Sequence, residues 1–139
     1  MKAIHTELLE DGTMVKQCSR CKEKKLLSEF QKRASSSTGL AYVCKDCGVV
    51  VHRESRYSLK DSDFQALLES QNNGCAICGI TNDEHYIKTK RSLHVDHNHK
   101  TGEVRGLLCR ICNKGIGCLQ DEYETVQKAA DYLLKYKVT

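Results

Sequence analysis

Four Cys-x-x-Cys pairs punctuate this chain: Cys18/Cys21, Cys44/Cys47, Cys75/Cys78 and Cys109/Cys112. Taken in order they form two four-thiolate sets, the ligand form of a structural zinc site. Inside the second set, Leu93 to Asn113 reads LHVDHNHKTGEVRGLLCRICN, which gathers Asp96, His97, His99 and Asn113 around one short turn. Four thiolates already complete a tetrahedral zinc, so the Asp and the His residues are available for other chemistry. An Asp carboxylate and an Asn amide oxygen are hard donors, suited to Mg2+ or Mn2+. A neutral His beside them is the residue type for a general base near neutral pH, with an ordinary pKa of about 6.5. The plainer alternative is that Asp96 and its His neighbours only cap a hairpin turn.

The elements that must position these groups have little apolar material. The 139 residues contain nine Cys, no Pro, no Trp and two Phe, so burial alone is thin support for a chain of this size and metals are expected to supply the rest. The first dozen residues, MKAIHTELLEDG, are acidic where a signal peptide is apolar, and no aliphatic run exceeds three residues. The expectation is a cytosolic protein with no membrane partner. In that reducing compartment thiolate metal sites are favoured over disulfides, the competing use of the same pairs. Cys118 is left over and reads as a small buried apolar residue.

The formal charge of +4 counts Cys as neutral. Eight thiolates and two Zn2+ lower the sum by four, to zero, so only the local distribution of charge carries information. Lys16 to Arg33 holds seven Lys/Arg against two acids, and Tyr86 to Lys114 again seven against two. Such stretches offset zinc thiolates, but they also make the footprint expected for a phosphate backbone. In the first stretch, Lys16, Lys22, Lys24, Lys25, Lys32 and Arg33 are the cations offered to phosphate.

Along the chain, residues 1–15 read as a poorly ordered lead-in. CSRCKEKKLLSEF is a zinc knuckle followed by apolar Leu26, Leu27 and Phe30, and Ser35 to Gly39 is a loop returning to Cys44 and Cys47. Residues 45–57 lean towards a helix. In DSDFQALLESQNNG a helix opens at Ser62, with Gln65 as capping-box partner, shares a face among Phe64, Leu67 and Leu68, and stops at Asn73-Gly74. Residues 80–92 are polar and loop-like. LHV and VRGLLC are strands joined by KTGEV, and a helix starts at Asn113. DEYETVQKAADYLLKYK is a helix whose stripe of Tyr123, Val126, Ala130, Leu133 and Leu134 reads as core.

The combination of CAIC at Cys75 to Cys78, LHVDHNHKTGEVRGLLC, and CRICN ending at Asn113 resembles the phage recombination endonuclease VII family, within the His-Me finger (HNH, ββα-metal) nucleases. The likeness runs from about Leu59 to the C-terminus. More loosely, KQCSRCKEKKLLSEF and AYVCKDC resemble the four-cysteine zinc module that often precedes this nuclease domain. The resemblance implies metal-binding roles for Asp96 and Asn113, general base for His97 and a supporting role for His99. It further implies Mg2+- or Mn2+-dependent hydrolysis of DNA to 5′-phosphate and 3′-hydroxyl ends, in phage recombination, repair or packaging, in the host cytosol. Where the best-known member has a Glu three residues after the Asn, this chain has Ile116, with Asp121 as a candidate substitute.

The expected fold is therefore small α+β and zinc-stabilised: a ββα-metal core with flanking helices over residues 58–139, preceded by a basic four-cysteine zinc module over residues 1–57. Two structural Zn2+, one catalytic divalent cation and DNA are the expected ligands, and a second copy of the chain is a candidate partner. The competing function is a non-catalytic two-zinc nucleic-acid-binding protein; iron in the same thiolate sets is a third reading.

Overall fold

Each four-cysteine set stands where a β-hairpin meets the helix that follows it. The computed structural model describes residues 6–137. They belong to two units, Met1–Asp61 and Ser62–Thr139.

In the first unit, β1 (Thr6–Leu8), β2 (Met14–Gln17) and β3 (Lys24–Leu26) form an antiparallel sheet in that order. Most of the expected unstructured lead-in is thus a hairpin, and residues 1–5 lie outside the described residues. Asp11-Gly12 makes its turn: the Thr13 amide donates to Asp11 Oδ1 (2.9 Å) and Gly12 takes φ +82°, a left-handed conformation that costs glycine little. A single 3-10 turn, Leu27–Glu29, leads to β4 (Phe30–Lys32), which pairs antiparallel with β5 (Leu40–Cys44), and α1 (Lys45–Tyr57) follows directly. The core here is Cys18, Phe30 and Cys44, with Leu40, Val43 and Cys47 against them. So small a cluster needs a cross-link or metal to hold it.

Lys16 corrects an expectation. It is 3% exposed, and its ammonium donates to the Ala41 carbonyl (2.7 Å) and sits 5.2 Å from the centre of the Phe30 ring. Burial lowers its pKa, partly opposed by Cys18, and the side chain braces β2 against β5 rather than facing phosphate.

In the second unit, α2 (Asp61–Ser70) begins one residue before Ser62, so Ser62 lies inside the first turn and is not its cap. Phe64 and Leu68 are its buried residues. Asn72 and Asn73, at φ +52° and +57°, turn the chain into the Cys75/Cys78 knuckle. A Cβ at Gly74 would stand 2.8 Å from the Gly79 carbonyl oxygen, so only glycine fits this closure. The stretch expected as a loop contains α3 (Asn82–Thr89). Thr81 caps it: Thr81 Oγ1 accepts from the Glu84 amide (3.2 Å), and Glu84 Oε2 accepts from the Thr81 amide (3.0 Å). β6 (His94–His97) and β7 (Val104–Leu108) form the second hairpin, burying Leu93, Val95, Leu107 and Leu108. α4 (Arg110–Cys118) then starts ahead of the Asn113 predicted, followed by α5 (Tyr123–Lys135).

Two further expectations fail. α5 has no buried residue: Tyr123, Leu133 and Leu134 are exposed, so its apolar stripe is not core among the described residues. Cys118 is likewise exposed at the end of α4. No helix of the described residues is long and apolar enough to cross a membrane.

Candidate active site and metal centres

The thiolate sets assemble as the spacing predicts. Ligand atoms of Cys18, Cys21, Cys44 and Cys47 lie within 4.8 Å of one another, and so do those of Cys75, Cys78, Cys109 and Cys112. None of the nine cysteines is in a disulfide. Cys78 Sγ and Cys109 Sγ are 3.7 Å apart. Zn–S bonds of roughly 2.3 Å in a tetrahedron place sulfurs about 3.8 Å apart, so the cage fits zinc. Cys44 and Cys109 are the N-cap residues of α1 and α4, and each helix's first turn brings the next ligand, Cys47 or Cys112, to the same centre. Burial raises the Cys18 and Cys75 thiols, but backbone N–H groups, including those of Cys44 and Cys109, outweigh it and bring each down to about 6. Burial and the neighbouring thiols push Cys47 up to about 12 and raise Cys112 as well. A bound cation would favour the thiolate forms of Cys47 and Cys112 against that burial.

On β6, Asp96 is buried and His97 half-buried. His97 and His99 have ring centres 4.8 Å apart. α4 packs on both strands of the hairpin, which brings the helix carrying Asn113 to the strand carrying Asp96 and His97. The order β6, β7, α4 is the ββα arrangement expected.

The sequence reading missed what Asp96 touches. Arg105 Nε donates to Asp96 Oδ2 and Arg105 Nη2 to Asp96 Oδ1, both at 2.8 Å. A β-bulge makes this possible. Asp96 pairs with Gly106 but His97 pairs with Val104, leaving Arg105 as the extra residue on β7. In a regular ladder Arg105 would oppose His97 and face away from Asp96; the bulge re-aims it. Arg105 Nη2 also lies 3.2 Å from Asp121 Oδ1. Hydrogen bonds donated to Asp96, and also to Asp121, raise the guanidinium pKa, with burial opposing them. Asp121 is held after α4 by two successive left-handed residues, Gln120 (φ +62°) and Asp121 (φ +56°), an arrangement that costs of order 1 kcal/mol at each non-glycine position. Its Oδ2 is buried, 3.5 Å from His99 Nδ1, with no hydrogen bond among the described residues.

Two more positioning groups come from outside the hairpin. Gln71 pairs with β7 as a neighbouring strand would: its Oε1 accepts from the Leu107 amide and its Nε2 donates to the Leu107 and Gly74 carbonyls, all at 2.9 Å. Gly106, opposite Asp96, leaves room for it, since a Cβ there would stand 2.9 Å from Gln71 Oε1. His85 is buried on α3; Nδ1 donates to the Arg91 carbonyl (2.8 Å), and Nε2 accepts from the Arg110 amide (3.2 Å), one of the orphan donors at the start of α4. His94 stacks edge-on against His85, and burial lowers its pKa.

Among the N-terminal cations, Lys24 pairs with Glu7 and Lys25 with Asp46 (3.2 Å). Arg20 forks onto Glu54 (2.7 and 2.8 Å). Lys32 and Arg33, at the end of β4, are exposed, with the Arg33 guanidinium 5.5 Å from the Tyr42 ring centre.

The recombination endonuclease VII family model matches residues 50–135, well over half of the chain. "Gene 59 protein" of Mycobacterium phage D29 is 44% identical over 80 residues, 57% of this chain and 46% of that protein. "Gene 59 protein" of Mycobacterium phage L5 is 40% identical over 79 residues, 56% of this chain and 45% of that protein. The chain spans about half the length of these curated relatives. The crystal structure of the beta-beta-alpha-Me type II restriction endonuclease Hpy99I is similar at 24% identity and a TM-score of 0.36, covering 88% of this chain and 66% of that one, a likeness too loose to build on. The match over residues 50–135 places the chain in the recombination endonuclease VII family.

Proposed function

We propose that this chain is a Mg2+- or Mn2+-dependent DNA endonuclease that hydrolyses phosphodiester bonds to 5′-phosphate and 3′-hydroxyl ends. Its setting would be phage DNA recombination, repair or packaging in the host cytosol. The observation that carries the reading is the placement of Asp96 and His97 on a hairpin whose far strand and following helix are tied into one thiolate cage, with Asn113 one residue beyond Cys112.

The donor set fits a hard cation: a buried carboxylate and an amide oxygen, on elements that pack together. A divalent cation held by Asp96 and Asn113 would stabilise charge on the scissile phosphate and on the departing 3′ oxygen. His97 accepts the proton of the attacking water at a ring nitrogen, and His99, tilted against it, supports that ring. The exposed cations of both units, Lys32 and Arg33 in the first and Lys100, Arg110 and Lys114 in the second, contact DNA phosphates. The first unit adds affinity and the second carries the chemistry.

One observation favours the non-catalytic reading: both Asp96 oxygens accept from Arg105. Cleavage of linear, mismatched and four-way DNA with Mg2+, by the unmodified chain and by Asp96→Asn, separates the two. The endonuclease reading expects cleavage lost in the variant with DNA binding kept. No cleavage of any substrate by the unmodified chain overturns it.

A further inference from the structure

We propose that Arg105 is the resident counter-ion of the Asp96 centre and yields to a divalent cation by transferring its fork onto Asp121. The inference rests on the reading that Asp96 holds the catalytic cation.

The geometry supplies both ends of the transfer. At the Asp96 end, the Arg105 fork engages both oxygens of a buried carboxylate, so a cation arriving there meets a fixed positive charge on its own ligand. Two cations sharing one carboxylate repel, and the guanidinium is the one on a flexible, part-exposed side chain. At the other end, Asp121 is already engaged: Arg105 Nη2 is shared, 2.8 Å from Asp96 Oδ1 and 3.2 Å from Asp121 Oδ1. Asp121 Oδ2 is buried and makes no hydrogen bond among the described residues, with His99 Nδ1 3.5 Å away, so it can accept a second guanidinium N–H. A small rotation about the shared nitrogen would exchange a fork on Asp96 for a fork on Asp121, with no covalent bond made or broken, so that each of the two cations keeps a carboxylate partner. The same transfer explains why a buried carboxylate is tolerable before the cation arrives, since Arg105 compensates it. It also gives a purpose to the two consecutive left-handed residues that fix Asp121 beside Arg105.

The account predicts opposite effects at two charged neighbours. Removing Arg105 removes a competitor, so Arg105→Met binds the cation more tightly. Removing the charge of Asp121 strands Arg105 on Asp96, so Asp121→Asn binds it more weakly. In Arg105→Met/Asp121→Asn the Asp121 change has nothing left to act through, and the double variant matches Arg105→Met.

The test is Mn2+ binding to the zinc-loaded full chain, read from the electron paramagnetic resonance signal of free Mn2+, with elemental zinc and circular dichroism confirming each variant's fold. The unmodified chain should bind one Mn2+ that Asp96→Asn loses. Arg105→Met should bind about tenfold tighter and Asp121→Asn about tenfold weaker, the scale of groups that support a ligand from behind. Equal Mn2+ binding by the unmodified chain and Asp96→Asn sinks the assignment of Asp96 as ligand, and the transfer with it. If Asp96→Asn does lose the ion, weaker or unchanged binding by Arg105→Met overturns the transfer alone. So does a double variant that binds more weakly than Arg105→Met, which would make Asp121 a direct ligand. Should Arg105→Met fail to keep its zinc, unchanged binding by Asp121→Asn still overturns the proposal.

Discussion

The two thiolate cages are built alike and differ in what their hairpins carry. In each, a knuckle supplies one pair of ligands, and a strand end with the first turn of a helix supplies the other: β5 into α1 around Cys44 and Cys47, β7 into α4 around Cys109 and Cys112. The thiol electrostatics match as well, with Cys18 and Cys75 lowered and Cys47 and Cys112 raised. Both hairpins also break register, near Phe30 in one and near Asp96 in the other. Yet β4 reads Phe-Gln-Lys and β6 reads His-Val-Asp-His. The cage is therefore a scaffold that fixes a hairpin to a helix, and the second hairpin carries the Asp and His side chains proposed to act on DNA. Function should therefore be breakable without loss of metal or fold, whereas loss of the metal should take the fold with it.

The largest effect should come from the cages. Cys109→Ser should remove the zinc of the second unit and with it the fold around Asp96, since metal binding of roughly 10 kcal/mol or more is folding energy in such units. Cys44→Ser should do the same to the first unit. Elemental analysis should read two zinc ions in the unmodified chain and one in each variant. Loss of both ions from either variant would show that the two cages are not separate. Next in size, Asn113→Ala should cut cleavage by two orders of magnitude or so at low Mg2+ and recover partly at high Mg2+, as for a weakened ligand. Kinetics across a Mg2+ titration check this, and a deficit independent of Mg2+ would remove Asn113 from the ligand set. A smaller loss is expected from Gln71→Ala, which orphans the Leu107 amide on β7 and removes one of the two donors to its carbonyl, the Ala76 amide being the other. It should cost about 1–3 kcal/mol and lower the melting temperature while both zinc ions stay bound. Smallest is the double change Lys32→Ala/Arg33→Ala, which should weaken DNA binding a few-fold and reduce the salt slope by about two, one per phosphate contact, without altering the chemical step. An unchanged slope would take this edge of the first unit out of the DNA interface.

How far the sequence disclosed this depends on how local each signal is. The cages were legible because Cys-x-x-Cys spacing is itself the geometry of a knuckle. The hairpin at LHV and VRGLLC is readable from its strand-turn-strand pattern, whereas α1 is only favoured, since its β-branched start, Val49 to Val51, also suits a strand. The polar composition of α3 points to a loop, although Thr81-x-x-Glu84 is a capping signal for a helix. The stripe on α5 shows that the helix is amphipathic but not what covers it. The Asp96–Arg105 fork was out of reach, because alternation puts those two residues on opposite faces and only the bulge reunites them. Gln71 and His85 act across 36 and 25 residues, with no pattern that announces either.

The separation of scaffold from chemistry is tested most directly at His97. Single-turnover cleavage of a duplex by the unmodified chain and by His97→Ala should be compared at saturating Mg2+, with zinc content and DNA affinity measured on the same samples. The account predicts two zinc ions and near-equal DNA affinity in both, with cleavage slowed about a hundredfold or more in the variant and no rescue by further Mg2+. Equal cleavage rates would contradict it.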